Sequence, residues 1–245
     1  MPHIETPEGI RIRYDARGPE DGRPLVLAHG FSVSLEMRMP QMQDLSQEHR
    51  LITWDARGHG GSSAPDDLDS YTMPALASDL RALLEALDAV DGAIIGGMSF
   101  GGQIAQQYAV DHPEDIHALI LSDTNTRGPE APQEGNAASR SGMAADFAGD
   151  PGLEGCMHAI RTRPDLTPNL PGLNIPTLVL VGEHDEMILS TLDRLIDALP
   201  RRRVARLAGC YHGTSGQRPA AWNEAVLNFL EDVTEEEPLG EDETI

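Results

Sequence analysis

The stretch Ile94-Ile95-Gly96-Gly97-Met98-Ser99-Phe100-Gly101-Gly102 constrains this chain more than any other. An apolar run leads into it, and Gln103-Ile104-Ala105-Gln106-Gln107-Tyr108-Ala109, which reads as a helix, follows. A buried strand that becomes a helix at a serine needs a corner so sharp that the residues two before and two after the serine nearly touch. Glycine at 97 and 101 removes the Cβ atoms that would collide there. The corner leaves Ser99 Oγ exposed at the carboxyl end of the strand, with its backbone at a helix N-terminus, where negative charge is favoured. A Gly-x-Ser-x-Gly pattern fixes only three positions and also arises by chance as a plain turn. The rest of the chain decides between the two.

The 245 residues, 40% of them hydrophobic, suit one α/β domain around a single core. The chain carries 40 acidic residues against 18 basic ones, all arginine, for a formal net charge of −22. A surface this negative repels nucleic acid and anionic membranes, so neither is expected as a partner. Adaptation to high salt explains the balance, as does a GC-rich genome that favours arginine codons. Salt adaptation predicts that the thermal midpoint rises between low and molar KCl, because screening removes self-repulsion; a midpoint that does not rise rejects it. No N-terminal stretch has the layout of a signal peptide, and no apolar run approaches the roughly 20 residues that span a bilayer. A soluble, cytoplasmic protein is therefore the expectation. Cys156 and Cys210 supply neither a disulfide framework nor a zinc site and read as two reduced thiols.

Along the chain, residues 10–14 alternate as an edge strand should, and Pro24–Ala28, Arg50–Asp55, Ile116–Asp123, Thr177–Gly182 and Arg202–Leu207 read as further strands. Helical patterns fall at 34–48, 73–89, 188–199 and roughly 217–232, with Leu76, Leu80, Leu83, Leu84 and Leu87 forming a core-facing stripe. Strands separated by helices at this spacing argue a mostly parallel, doubly wound sheet. From Asn125 to Pro176 the rhythm breaks: seven prolines leave room for short helices only, near 136–148 and 152–161. The tail from Glu231 holds eight acids in fifteen residues and is expected to be disordered.

Ser99, Asp185 and His212 fall at the ends of three strands, in that order. Serine, then acid, then histidine is the α/β-hydrolase order of a catalytic triad and differs from those of the other serine hydrolase folds. With it come His29-Gly30-Phe31 after a strand, the Asp55-x-Arg57-Gly58-x-Gly60 loop, Gly97-x-Ser99-x-Gly101-Gly102 and Gly182-x-x-Asp185. Together, over residues 8 to 232, these resemble the single-domain serine hydrolase branch of the α/β-hydrolase superfamily. That branch includes carboxylesterases, enol-lactonases, carbon–carbon bond hydrolases and cofactor-free haloperoxidases. The resemblance implies a hydrolase core over 1–124 and 177–232, a small cap over 125–176 inserted after the sixth strand, and a tail over 233–245. It implies Ser99 as nucleophile, His212 as general base and then acid, and Asp185 as orienting acid. The backbone N–H groups of Phe31 and Phe100 would form the oxyanion hole. Met98 and Phe31 would flank the bound acyl group, and Met143, Phe147, Met157 and Ile160 of the cap could face a substrate.

Rivals exist at each position. Asp123 also ends a strand, and some hydrolases take their acid there. Asp55 and His59 fit a structural loop better than a hydrolytic role, His29 better a prop for its own loop, and His49, His112, His117 and His158 read as surface residues. Tyr211 stands where many members of the superfamily have Gly before the histidine. There is no metal motif and no dinucleotide fingerprint, so no cofactor and no metal is expected. The expected activity is cleavage of small to medium carboxylic esters through an acyl-enzyme. A lactonase or a carbon–carbon hydrolase would use the same triad, with Arg140, Arg161 and Arg163 available to an acidic substrate. A receptor or scaffold that keeps the fold is the alternative outside enzymology. Oligomeric state is not legible.

Overall fold

A computed structural model describes residues 1–126, 149–235, 238–239 and 242–245. Nine strands form one sheet: β1 (His3–Glu5), β2 (Arg11–Arg17), β3 (Pro24–Ala28), β4 (Arg50–Trp54), β5 (Ala93–Met98), β6 (Ile116–Ser122), β7 (Thr177–Gly182), β8 (Arg202–Leu207) and β9 (Glu243–Thr244). Their order across the sheet is β1-β2-β4-β3-β5-β6-β7-β8-β9. The pairs β1–β2 and β2–β4 are antiparallel and the remaining pairs parallel. The fold is the α/β-hydrolase fold, a mostly parallel sheet covered by helices on both faces.

Alternate residues of the central strands go to opposite faces, as the period of two requires. Val26, Ile95, Val179 and Val181 enter the larger core, under α2 (Met73–Ala86) and α3 (Phe100–Asp111). Leu25, Leu27, Ile94, Leu178 and Leu180 enter the smaller one, under α1 (Met39–Leu45), which follows a 3-10 turn at Leu35–Arg38. The leucine stripe of α2 packs as its spacing predicts, with Leu76, Leu80, Leu83 and Leu84 at 0–1% exposure. Each such side chain contributes roughly 1.5–3 kcal/mol of burial. Thr72 caps this helix by accepting the Ala75 N–H.

After β6 comes α4 (Pro151–Thr162), close to the short helix expected at 152–161; the one expected near 136–148 falls outside the described residues. Gly152 and Gly155 let α4 lie against the 57–60 loop and Tyr71: a Cβ on Gly152 would stand 2.5 Å from Gly58 O, and one on Gly155 2.3 Å from the Tyr71 ring. Then come α5 (Glu186–Ala198), a short α6 (Thr214–Gln217) that the periodicity did not suggest, and α7 (Pro219–Thr234). Trp222, Val226, Phe229 and Leu230 of α7 lie against the sheet in the smaller core.

The tail corrects the expectation of disorder at its end. Glu243 and Thr244 pair with Ala205 and Arg206, and Ala208 N–H donates to Ile245 O at 2.8 Å. Without them β8 would be an edge strand with a row of unsatisfied amides, and backbone pairing is indifferent to the acidic side chains, which point to solvent. Among the described residues, no helix is long and apolar enough to cross a membrane.

Candidate active site

The strand order switches between β3 and β5. β3 leads to β4 on one side, and β5 then returns to the other side of β3. In an open α/β sheet the loops diverge at such a point and leave a crevice at the carboxyl ends of the strands. The loop 29–34 leaves β3 there, and Ser99 leaves β5.

Ser99 sits at φ 52°, ψ −110°, a conformation that costs a non-glycine residue roughly 1–3 kcal/mol. The strain is held by its neighbours. Ser99 N–H donates to Ser122 O at 2.9 Å, while Thr124 Oγ1 and Gln103 N–H both donate to Ser99 O. The flanking glycines are required sterically. A Cβ on Gly97 would lie 2.2 Å from the Gly101 carbonyl carbon, and one on Gly101 2.5 Å from His29 O. Both obstacles are backbone and cannot move aside. Gly97→Ala is therefore expected to cost about 1–3 kcal/mol as overpacking, read as a melting-point drop of about 2–4 °C per kcal/mol. An unchanged melting curve would contradict this geometry.

Ser99 is half-buried, and its Oγ makes no hydrogen bond to a described residue. Phe100 opens α3, so its N–H is among the helix amides that have no intrahelical acceptor. The Phe31 ring meets the Phe100 ring edge-on at 6.3 Å, which brings the two expected oxyanion residues side by side. Met98 is buried beneath them: its Sδ lies 2.7 Å from where a Gly30 Cβ would be, and its Cε 3.8 Å from the Cβ position of Gly213. It thus fills the floor between the loop after β3 and the loop carrying His212. Met157 is half-buried on α4, whereas Met143 and Phe147 lie outside the described residues.

Asp185 and His212 meet across β7 and β8. His184 N–H donates to Cys210 O at 2.8 Å, which ties the two exit loops together. Asp185 is 2% exposed on its side chain and uses both oxygens. Oδ1 caps α5 by accepting Ile188 N–H at 3.3 Å, and Oδ2 stands 2.7 Å from His212 Nδ1. A carboxylate can only accept, so Nδ1 carries the ring proton and Nε2 is left as the basic nitrogen. Burial alone would lower the His212 pKa. The hydrogen bond and charge of Asp185, joined by the charge of Asp123, outweigh burial and hold it above the ordinary value. Gln217 braces the same loop from both sides, accepting Tyr211 N–H and donating to His212 O. Tyr211 is 62% exposed, with its ring 5.3 Å from that of His184.

Asp123, the rival acid, makes no hydrogen bond to the imidazole. Its Oδ2 accepts from Thr214 N–H, Thr214 Oγ1 and Ser122 Oγ. His29 and His59 are buried and lie against each other, with pKa values lowered by burial to about 4 and about 3, which keeps both neutral. Each accepts a backbone N–H on Nε2, from Ala56 and Ser32 respectively, so both hold loops in place. Asp55 does the same, accepting Leu35 N–H and Gly61 N–H and pairing with Arg13. Sequence reasoning missed the bracing by Gln217 and the buried place of Arg38. Neither leaves a local signal, since polar residues on short helical stretches ordinarily face solvent.

Residues 23–153 match the family model described as alpha/beta hydrolase fold. Over 94% of its length the chain is 28% identical to a non-heme chloroperoxidase of Streptomyces lividans, 99% of which is covered. A thermophilic esterase from Thermogutta terrifontis superposes with a TM-score of 0.81 at 26% identity, covering 95% of this chain and 99% of that one. An enol-lactonase from Burkholderia xenovorans LB400 does so with a TM-score of 0.79 at 26% identity, covering 94% and 100%. With its elbow serine, its strand order and this family match over more than half its length, the chain belongs to the alpha/beta hydrolase fold family.

Proposed function

We propose that this protein is a cofactor-independent serine hydrolase that cleaves small to medium carboxylic esters through an acyl-enzyme. The observation that carries the reading is the 2.7 Å contact of Asp185 Oδ2 with His212 Nδ1, on the loops that flank a strained, half-buried Ser99. A serine hydroxyl is a poor nucleophile until a base removes its proton. His212 Nε2 takes that proton as Ser99 Oγ attacks the ester carbonyl, and the Asp185 charge stabilises the imidazolium that forms. The Phe31 and Phe100 N–H groups, fixed by loop and helix before reaction, donate to the oxygen on which negative charge develops. Collapse of the tetrahedral intermediate expels the alcohol, which takes the proton from His212. Water then repeats the cycle on the acyl-enzyme. Ser99 Oγ is not bonded to His212 in the free protein, and in such sites that bond often forms well only when substrate is bound.

The test is hydrolysis of p-nitrophenyl esters from acetate to palmitate, alongside labelling by a fluorophosphonate mapped by mass. Turnover of short and medium chains with label on Ser99 supports the proposal. Label on Ser99 without turnover rejects esters of this kind and leaves the triad standing; no label rejects the triad. A lactone is an internal ester, and the similarity to an enol-lactonase makes lactones the next substrates to examine. A carbon–carbon hydrolase reading is less well served. Arg163 is committed to Ile160 O and the Asn125 side chain, and Arg140 lies outside the described residues.

The raised His212 pKa fixes a pH dependence. The base must be neutral, so kcat/KM should fall as pH drops through the His212 pKa, with a midpoint above the ordinary histidine value of about 6.5. A midpoint at or below that value would contradict the Asp185 contact.

A further inference from the structure

Behind the catalytic loops lies a buried polar cluster that the reaction does not use directly. Arg38, Ser122, Asp123, Thr214 and Trp222 are each fully buried. Asp123 Oδ2 gathers Thr214 Oγ1 at 2.8 Å, Ser122 Oγ at 2.9 Å and Thr214 N–H at 3.1 Å. Ser122 Oγ in turn accepts Trp222 Nε1–H at 3.1 Å, and the Arg38 guanidinium stacks over the Trp222 ring at 5.6 Å. Arg38 Nη2 donates to Ala28 O, the residue before His29-Gly30-Phe31, while its Nε and Nη1 and Asp123 Oδ1 have no hydrogen-bond partner among the described residues. Arg38 lies over the Trp222 ring, and Asp123 is linked to the same ring through Ser122 Oγ. One is anchored to the strand that feeds the oxyanion loop, the other to the residue two beyond His212.

A buried charge without compensation is expensive, and the charge of Asp123 offsets part of the burial of Arg38. We propose that Arg38 and Asp123 are a positioning pair for the general base. Asp123, whose charge supports the buried Arg38 guanidinium, clamps Thr214 and so fixes the turn that presents His212 to Ser99. Gly213, at φ 93°, is the hinge of that turn. Besides the clamp, Gln217 on the exposed side and Asp185 at the imidazole hold this turn. The pair also adds a second carboxylate facing His212, since Asp185 and Asp123 are the two acidic groups that raise the His212 pKa, against burial. Asp123 itself is pushed upward by burial and held back by Thr214, Ser122 and His212; Arg38 is pushed down to about 10 by burial and held back by Asp123 alone. The inference rests on the hydrolase reading above and deepens it.

Asp123→Asn keeps the shape and removes the charge, and Arg38→Met removes the partner. Expected for each is a fall in kcat of about 10–100-fold at nearly unchanged KM, the scale of a misplaced catalytic group. The His212 midpoint, followed by NMR of its ring, should move to lower pH in both. The double variant should be no worse than either single one, because the two act as a unit. A merely structural role would lower the folded fraction and leave the His212 midpoint where it was; that outcome overturns the proposal, as does additive loss in the double variant. If Asp123→Asn fails to fold, Thr214→Val removes one donor to the carboxylate and carries the test. It should lower kcat several-fold at constant KM, and unchanged kcat overturns the clamp. If wild type neither hydrolyses esters nor takes the fluorophosphonate, the hydrolase reading fails, and the NMR midpoint still decides the pair: a downward move supports it and a constant value rejects it.

Discussion

Ser99→Ala is expected to lower the rate of ester turnover by about 10⁵–10⁶, leaving only the acceleration that the oxyanion hole and substrate binding supply. In the proposed mechanism Oγ forms the covalent intermediate, so without it His212 and Asp185 would have nothing to activate and their loss on top should add little. The fold should survive. Ser99 Oγ bonds no described residue, and the strained backbone is held by Ser122 O, Thr124 and Gln103 through main-chain atoms that alanine keeps. The measurement is initial rates on the best p-nitrophenyl ester, with melting curves alongside. A variant that keeps a tenth of wild-type activity would remove Ser99 from the nucleophile's role.

Asp79→Ala is expected to be the most damaging of the stability changes considered. Arg57 in the 55–63 loop and Asp79 on α2 form a two-pronged pair, Nε to Oδ2 at 2.5 Å and Nη2 to Oδ1 at 2.6 Å, with side chains 5% and 0% exposed. Arg57 also donates to Ser70 O and lends its own carbonyl to the Cys156 thiol, so the pair lies where the 55–63 loop meets α2 and α4. Removing the carboxylate strands a guanidinium in the interior, which costs about 3–5 kcal/mol. At about 2–4 °C per kcal/mol for a chain this long, the melting point should fall by roughly 6–20 °C. Asp15→Ala serves as the control. Its partner Arg17 is 53% exposed, and such surface pairs are worth about 0–1 kcal/mol. Arg57→Met with Asp79→Leu should recover most of the loss, because it is the unpaired charge, more than the missing bond, that destabilises. Equal melting points for Asp79→Ala and Asp15→Ala would refute the argument.

The corner at Ser99 was legible because its demand is local: two glycines, a serine, an apolar run and a helix within a dozen residues. The same holds for Pro24–Ala28, Thr177–Gly182 and Arg202–Leu207, whose strands match the expected bounds, and for the leucine stripe of α2. The acidic tail misled because composition describes how side chains interact with water, whereas Glu243 and Thr244 are held by their backbone. The β1 strand escaped notice for a similar reason. It is three residues long, too short for alternation to register, and exists because β2 offers it an antiparallel edge.

The sequence by itself determined which residue types stand at the ends of which strands, since serine, acid and histidine each follow an apolar run that must be buried. It also pointed to a sharp turn at residue 99 through the glycines at 97 and 101, and the structure shows that a Cβ at either would strike backbone. Only the tertiary structure decided that β3 and β5 are neighbours, so that the loops carrying Phe31 and Ser99 face one crevice. It set Asp185, the acid the resemblance had favoured over Asp123, against the imidazole, and it alone turned Arg38 inward. The reason is the same in each case. Sequence periodicity reports whether a residue is buried, and the identity of its partner depends on segments far along the chain, 27 residues away for Asp185 and His212 and 91 for Asp123 and Thr214, brought there by sheet pairing.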